Sequence, residues 1–207
     1  MNMNQAMLTD LYEFSMANGY CATLPHEDQA VFDIFYRNVP DHGSFVIAAG
    51  LQQVVEALRD FHFEDADIKY LRSLKLYSDT FLDYLKTMKL ACTVTALPEG
   101  TPVFPREPLL TVQGPLMQVQ LLETLLLNIV NHQSLIATKA RRITAAAEGR
   151  PVMEFGARRA QGPDASVYGA RAAVIGGCAS TSNVLAAQRF NIPAAGTMAH
   201  SLSLIHI

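Results

Sequence analysis

The chain has 207 residues, half of them hydrophobic, enough to bury a substantial core as one large or two modest domains. Its net charge of -3 and its 16 scattered basic residues argue against a nucleic-acid surface. Three widely separated cysteines, Cys21, Cys92 and Cys178, suit neither a disulfide framework nor a paired-cysteine metal site and favour a reducing cytoplasm; the first ten residues carry no secretory pattern.

No internal repeat is visible, but the periodicity changes along the chain. It divides the sequence into a mixed helix and sheet domain over 1–115, a helical link over 116–150 and an α/β unit over 151–207. In the first zone Thr9 or Asp10 is placed to cap a helix that runs past Tyr12, Phe14 and Ala17 and stops at Gly19. Residues 31–36 and 45–49 read as strands that pair in a hairpin across Asp41 and Gly43. Residues 51–61, 65–74 and 79–88 repeat apolar side chains at three- and four-residue spacing and are predicted as amphipathic helices. From 92 to 112 the prolines at 98, 102, 105 and 108 exclude helix, and a small antiparallel sheet is expected.

Gly114 and Pro115 open a helical stretch over 116–147 with a break expected near Asn131 and His132. Its most apolar part, 116–130, is interrupted by Gln118, Gln120, Glu123, Thr124 and Asn128, short of the roughly 18 apolar residues of a membrane span. Beyond it, strands at 152–155 and 192–198 alternate with helices at 164–175 and 182–190, the pattern of a parallel α/β fold.

Ligands of such folds gather at the C-terminal ends of the strands. Arg158 and Arg159 sit there; their guanidinium forks suit a carboxylate or phosphate, or else pair with a neighbouring carboxylate or lie in solvent. His200 follows the last strand, where an imidazole can relay a proton or attack phosphorus, and Thr197 is placed to donate to the same ligand; a purely structural histidine is the alternative. Gly176-Gly177 and Ser180-Thr181-Ser182-Asn183 precede a helix and offer either phosphate binding or ordinary N-capping. Lys139, Arg141 and Arg142 near a helix end are explained by the macrodipole without a phosphate. The remaining histidines, 26, 42, 62, 132 and 206, show no metal-ligand spacing, and no Walker loop, nucleophile elbow or dinucleotide fingerprint occurs.

Several motifs in order then carry a resemblance. They are Leu8-Thr9-Asp10-Leu11-Tyr12-Glu13, Val31-Phe32-Asp33 with Arg37, Pro98-Glu99-Gly100, Glu123-Thr124 with Leu127-Asn128, Glu154-Phe155-Gly156 with Arg158-Arg159-Ala160-Gln161-Gly162, and Gly196-Thr197-Met198-Ala199-His200-Ser201. From Leu8 to Ser201 the sequence resembles the nicotinate phosphoribosyltransferases. The resemblance implies an α/β fold: an α+β N-terminal domain followed by the start of an α/β barrel of the type II phosphoribosyltransferase kind. It implies transfer of phosphoribosyl from phosphoribosyl pyrophosphate to nicotinate with coupled ATP hydrolysis, in the synthesis of NAD. His200 would be the histidine phosphorylated by ATP, Tyr12 and Thr197 nicotinate contacts, and Arg158 an active-site arginine, with Mg2+ bound chiefly through the pyrophosphate and no protein metal site. A homodimer is implied in which Tyr12 reaches the neighbour's barrel.

Family members continue past this histidine with more strands, another nicotinate-binding arginine and phosphate-binding glycines, so the barrel is expected to be incomplete here and the chain alone impaired. Residues 202–207 differ from the aromatic-containing continuation of the family. A non-catalytic ligand- or partner-binding remnant, or a quinolinate phosphoribosyltransferase that releases carbon dioxide without ATP, are the alternatives.

Overall fold

The computed structural model describes residues 4–25 and 28–199; His200 and the tail at 201–207 lie outside the described residues. In chain order the first part comprises helix α1 (Leu11–Thr23), strands β1 (Gln29–Phe35) and β2 (Val46–Ile47), helices α2 (Leu51–Arg59), α3 (Asp65–Ser73) and α4 (Asp79–Thr87), and strands β3 (Thr93–Ala96), β4 (Pro102–Val103) and β5 (Pro108–Pro115). Helices α5 (Leu116–Gln120) and α6 (Glu123–Ala146) lead to β6 (Met153–Glu154), a 3-10 turn (Ala157–Arg159), α7 (Pro163–Ile175), β7 (Ser180–Thr181) and α8 (Val184–Phe190).

Helix α1 does not stop at Gly19. A glycine inside a helix costs about 1 kcal/mol, but buried Phe14 and Ala17 hold α1 against the core, and the Thr23 hydroxyl donates to Gly19 O at 2.8 Å. Nor does Thr9 or Asp10 cap it through a side chain: Asp10, the N-cap residue, makes no such bond, and the Thr9 hydroxyl donates to the Glu13 carboxylate.

The expected hairpin between the first two strands does not form. Strand β1 pairs antiparallel with β5, which also pairs with β3, while β2 pairs with β4 in a separate sheet. The connection explains this. Asp41 and His42 take positive φ (56° and 55°), and Asp41 is drawn onto α6 by Lys139 (3.0 Å) and Arg142 (3.5 Å), so β2 is carried away from β1.

Helices α2, α3 and α4 follow the predicted spacing. Glu64 and Asp67 form a reciprocal capping box on α3, and Ser78 Oγ accepts from Phe81 N on α4. The long helical stretch breaks at Leu121-Leu122 rather than at Asn131 and His132; the offset lets both leucines be fully buried, while His132 stays helical and lies 3.2 Å from Ala165 O.

Helix α6 serves two cores. Leu125, Leu126, Ile129 and Val130 enter a large cluster with Val54, Phe81, Leu82, Leu85, Leu110 and Val112. Further along, Ala137 packs against Ala172 with Ile47 and Ala49, and Ala140 against Ala173, in a seam of small residues. Gly176 closes that seam: a Cβ there would lie 2.3 Å from Ala137 O and 2.7 Å from Ala140 Cβ.

Beyond the seam the chain is parallel α/β. Strands β6 and β7 pair in parallel across α7, and Thr181 makes a further parallel bridge to Ala194. The strand expected at 192–198 is reduced to that bridge, held by Thr181 N to Pro193 O (3.1 Å) and Ala195 N to Thr181 O (3.0 Å). Strand β7 was hidden in the sequence because Ser180-Thr181 is polar, yet both residues are buried.

Candidate active site

Short parallel strands with consecutive loops on one side leave a crevice at their C-terminal ends. Here that crevice is a cleft of about 500 Å³ lined by Phe155, Ala157, Arg158, Thr181, Ser182 and Thr197, with the 194–196 segment closing it. It brings together two of the four sequence-predicted site residues, Arg158 and Thr197, from segments 39 positions apart.

Arg158 sits on the 3-10 turn after β6 and is exposed. Among the described residues neither Arg158 nor Arg159 has a carboxylate partner, so the ion-pair explanation of these arginines is not what is observed. Only Arg158 lines the cleft. An exposed guanidinium at the edge of a concave site is a ready partner for a planar carboxylate or a phosphate.

Two of the segments that line the cleft are tied together by Glu154, which the sequence shows within a motif and without a role of its own. The Thr181 hydroxyl donates to Glu154 Oε2 at 2.6 Å, and the Gly156 N–H donates to Glu154 Oε1. Thr181 is fully buried, and its Oγ1 in turn accepts from Asn183 N at 3.0 Å. Asn183 caps α8 through Ala186 N at 3.1 Å.

Of the other anion-binding candidates, Thr181 and Ser182 line the cleft, while the glycines and the basic group have structural roles. Gly176 and Gly177 end α7 in a Schellman arrangement, with Gly177 at φ 106°, Cys178 N donating to Ala173 O and Gly177 N to Val174 O. Lys139 and Arg142 hold Asp41, and Lys139, Arg141 and Arg142 are all absent from the cleft lining.

Tyr12 is elsewhere. It lies in the first turn of α1, half-exposed, and does not line the cleft. Its phenol is hydrogen-bonded to Glu123; that bond, with burial and the charges of Glu123, Glu13 and Asp10, pushes its pKa up to about 12. Next to it Glu13 is fully buried, accepting from Thr124 N (3.0 Å) and from the hydroxyls of Thr9 and Thr124. Burial raises the Glu13 pKa, and those hydrogen bonds pull it back only in part. A second cavity of about 500 Å³ opens nearby on Asp10, Tyr36, Arg37, Thr124, Asn128 and Asn131. Four of these, Asp10, Arg37, Thr124 and Asn128, belong to the motifs quoted above, and that was the sequence signal for this cavity.

A buried ion pair joins the two zones. Arg171 on α7 grips Glu99 with two bonds (2.8 and 2.5 Å), Glu99 accepts from Gly50 N at 2.7 Å, and Arg171 also reaches Gln52 at 3.1 Å. Burial pushes the Glu99 carboxyl up, but the Arg171 bonds and charge and the Gly50 and Leu51 N–H groups hold it below its ordinary value.

Comparison with known proteins agrees with this fold. The nicotinate phosphoribosyltransferase N-terminal domain profile matches residues 7–131, and the nicotinate phosphoribosyltransferase family profile matches residues 151–206. The structure of human nicotinic acid phosphoribosyltransferase is similar with a TM-score of 0.87 at 45% identity, over 93% of this chain and 39% of that one. Nicotinate-nucleotide pyrophosphorylase of Pyrococcus furiosus is similar with a TM-score of 0.77 at 27% identity, over 99% of this chain and 46% of that one. The fold is thus of the type II phosphoribosyltransferase class.

In sequence, a nicotinate phosphoribosyltransferase of Mycobacterium tuberculosis is 48% identical over 95% of this chain and 42% of its own length; that of Bacillus subtilis is 45% identical over 94% and 40%. The chain belongs to the nicotinate phosphoribosyltransferase family. It spans about two fifths of the length of these curated relatives. No helix among the described residues is long and apolar enough to cross a membrane.

Proposed function

We propose that this chain forms the N-terminal part of a cytoplasmic enzyme that transfers phosphoribosyl from phosphoribosyl pyrophosphate to nicotinate, giving nicotinate mononucleotide and pyrophosphate, with ATP hydrolysed to ADP and phosphate. The observation that carries this reading is the exposed Arg158 in the cleft at the strand ends, with Thr197 opposite. Nicotinate is a planar carboxylate, the shape a guanidinium fork recognises through paired hydrogen bonds. Thr197 supplies a hydroxyl to the same ligand. Displacement at the ribose anomeric carbon builds charge on the departing pyrophosphate and the sugar, which calls for electrostatic stabilisation more than for a protein nucleophile.

His200 follows Thr197 by three residues. In this reading it accepts a phosphoryl group from ATP, and its dephosphorylation couples ATP hydrolysis to transfer. Mg2+ enters with the pyrophosphate group of the substrate. Tyr12 and the cavity beside it, away from Arg158, suit a homodimer in which each α1 faces the partner's cleft. The part of the relatives' length beyond this chain would supply the remaining strands.

The test joins this chain to the C-terminal remainder of a relative and measures nicotinate mononucleotide formation with and without ATP. His200→Ala abolishes ATP stimulation while sparing slow ATP-independent transfer; unchanged stimulation sinks the assignment. Turnover of quinolinate with release of carbon dioxide, in place of nicotinate, would move the chain to the other reaction.

A further inference from the structure

We infer that Glu154 is a positioning residue for the anion-binding cleft: it fixes the turn that presents Arg158 while leaving that guanidinium free for the ligand. The inference rests on the reading of the cleft given above. Glu154 ends β6, and its two carboxylate oxygens are bound by neutral donors on both sides: Gly156 N–H on Oε1, and the buried Thr181 hydroxyl on Oε2 at 2.6 Å. Its own carbonyl accepts from Ser182 N at 3.0 Å. One residue therefore ties the loop after β6, which carries Arg158, to the loop after β7, which carries Ser182, and both loops line the cleft.

The alternative arrangement is a short-range ion pair. A carboxylate four positions before an arginine attracts that arginine, and donors on both of its oxygens weaken the attraction by sharing its charge and fixing its position. Among the described residues Glu154 has no cationic partner, and Arg158 has no anionic one. The N–H and O–H donors hold both Glu154 oxygens, Thr181 donating because a carboxylate oxygen accepts, while its own oxygen accepts from Asn183 N at 3.0 Å. Gly156 allows the close approach, since a Cβ there would lie 2.8 Å from Glu154 Oε1.

Two substitutions separate positioning from bulk stability. Glu154→Ala removes both anchors, and Thr181→Val removes one donor and frees Oε2 to capture Arg158. Nicotinate affinity is measured by calorimetry on the chain joined to a relative's C-terminal remainder, in a double-mutant cycle with Arg158→Ala. Each variant is expected to weaken nicotinate about ten-fold when Arg158 is present, the scale of one hydrogen bond to a charged group, and less than about two-fold when the Arg158→Ala change is already in place. Equal losses on both backgrounds, or no loss on either, overturn the inference.

The amide resonances of Gly156 and Arg158, followed by NMR in this 207-residue chain, keep the two readings distinguishable. Binding of no nicotinate by the parent protein removes the cleft reading, and the inference is then decided by whether Thr181→Val shifts both amides (supporting it) or leaves Arg158 where it was (overturning it).

Discussion

The two ends of α6 pack by opposite rules. Toward its start, Leu125, Leu126 and Ile129 meet Val54, Phe81, Leu82 and Leu85, a core made of volume. Toward its end, Ala137 and Ala140 meet Ala172, Ala173 and Gly176, a core made of closeness. Where large side chains interdigitate, stability is lost by removing atoms; where backbones touch, it is lost by adding them. The largest effect is therefore expected from Phe81→Ala, which empties a site with no exposure and should cost about 3–5 kcal/mol in urea unfolding. A loss below about 1 kcal/mol would show that α4 does not share a cooperative core with α6.

Between the two cores stands the Glu99–Arg171 pair, with side chains only 18% and 13% exposed. Arg171→Met leaves Glu99 buried without its counter-charge and should destabilise by about 3–5 kcal/mol. The double variant Glu99→Gln with Arg171→Met should recover part of this, because neither charge is then stranded. The pair also sets an acid limit. Glu99 is held below its ordinary value of 4.5, so its stabilisation is present above that pH and lost as pH falls through its folded pKa. Glu13, raised above the same value, works in the opposite sense: its cost is absent while it is protonated and grows as pH rises through 4.5 and beyond. Urea midpoints across pH 3–7 should accordingly flatten at the acid end in Glu99→Gln and rise more steeply in Glu13→Gln; the reverse assignment would show that burial at these two sites has been misread.

At the seam, Gly176→Ala forces a methyl against Ala137 O and Ala140 Cβ and should cost about 1–3 kcal/mol, although alanine is the better helix former. Gly19→Ala is the control, since nothing lies within 4 Å of a Cβ there; a mid-helix glycine replaced by alanine should gain up to about 1 kcal/mol. Melting curves of the two variants should move in opposite directions.

This contrast also explains what the sequence could reveal. Helices α2, α3 and α4 were legible because large apolar residues at three- and four-residue spacing announce the face they bury. The end of α1 was not, because glycine's local cost was outweighed by Phe14 and Ala17 in the core. The pairing of β1 with β5 rather than β2 depends on contacts from Asp41 to Lys139 and Arg142, about a hundred positions away, and no local pattern encodes that. In the cleft, Arg158 and Thr197 were found because strand ends are where ligands gather. Thr181 was legible only within a phosphate-binding or N-capping run, because a polar Ser-Thr pair does not look like a buried strand, and Glu154 stood in a motif without a role of its own.

The smallest effect expected is on Tyr12. Its bond to Glu123, the neighbouring charges and partial burial favour the protonated phenol, so it should ionise near 12 rather than at 10.0. Because the folded pKa is raised, stability is unaffected below pH 10 and declines only as pH rises from there, and the half-exposed position keeps that decline slight. NMR titration of a tyrosine-labelled chain, with the signal assigned by Tyr12→Phe, measures it directly. Glu123→Gln removes a charge as well as the charged acceptor and should bring the Tyr12 titration down toward 10.0 while leaving the other tyrosines in place. A Tyr12 that titrates near 10.0 in both proteins would mean that α1 does not rest on the start of α6 through this bond.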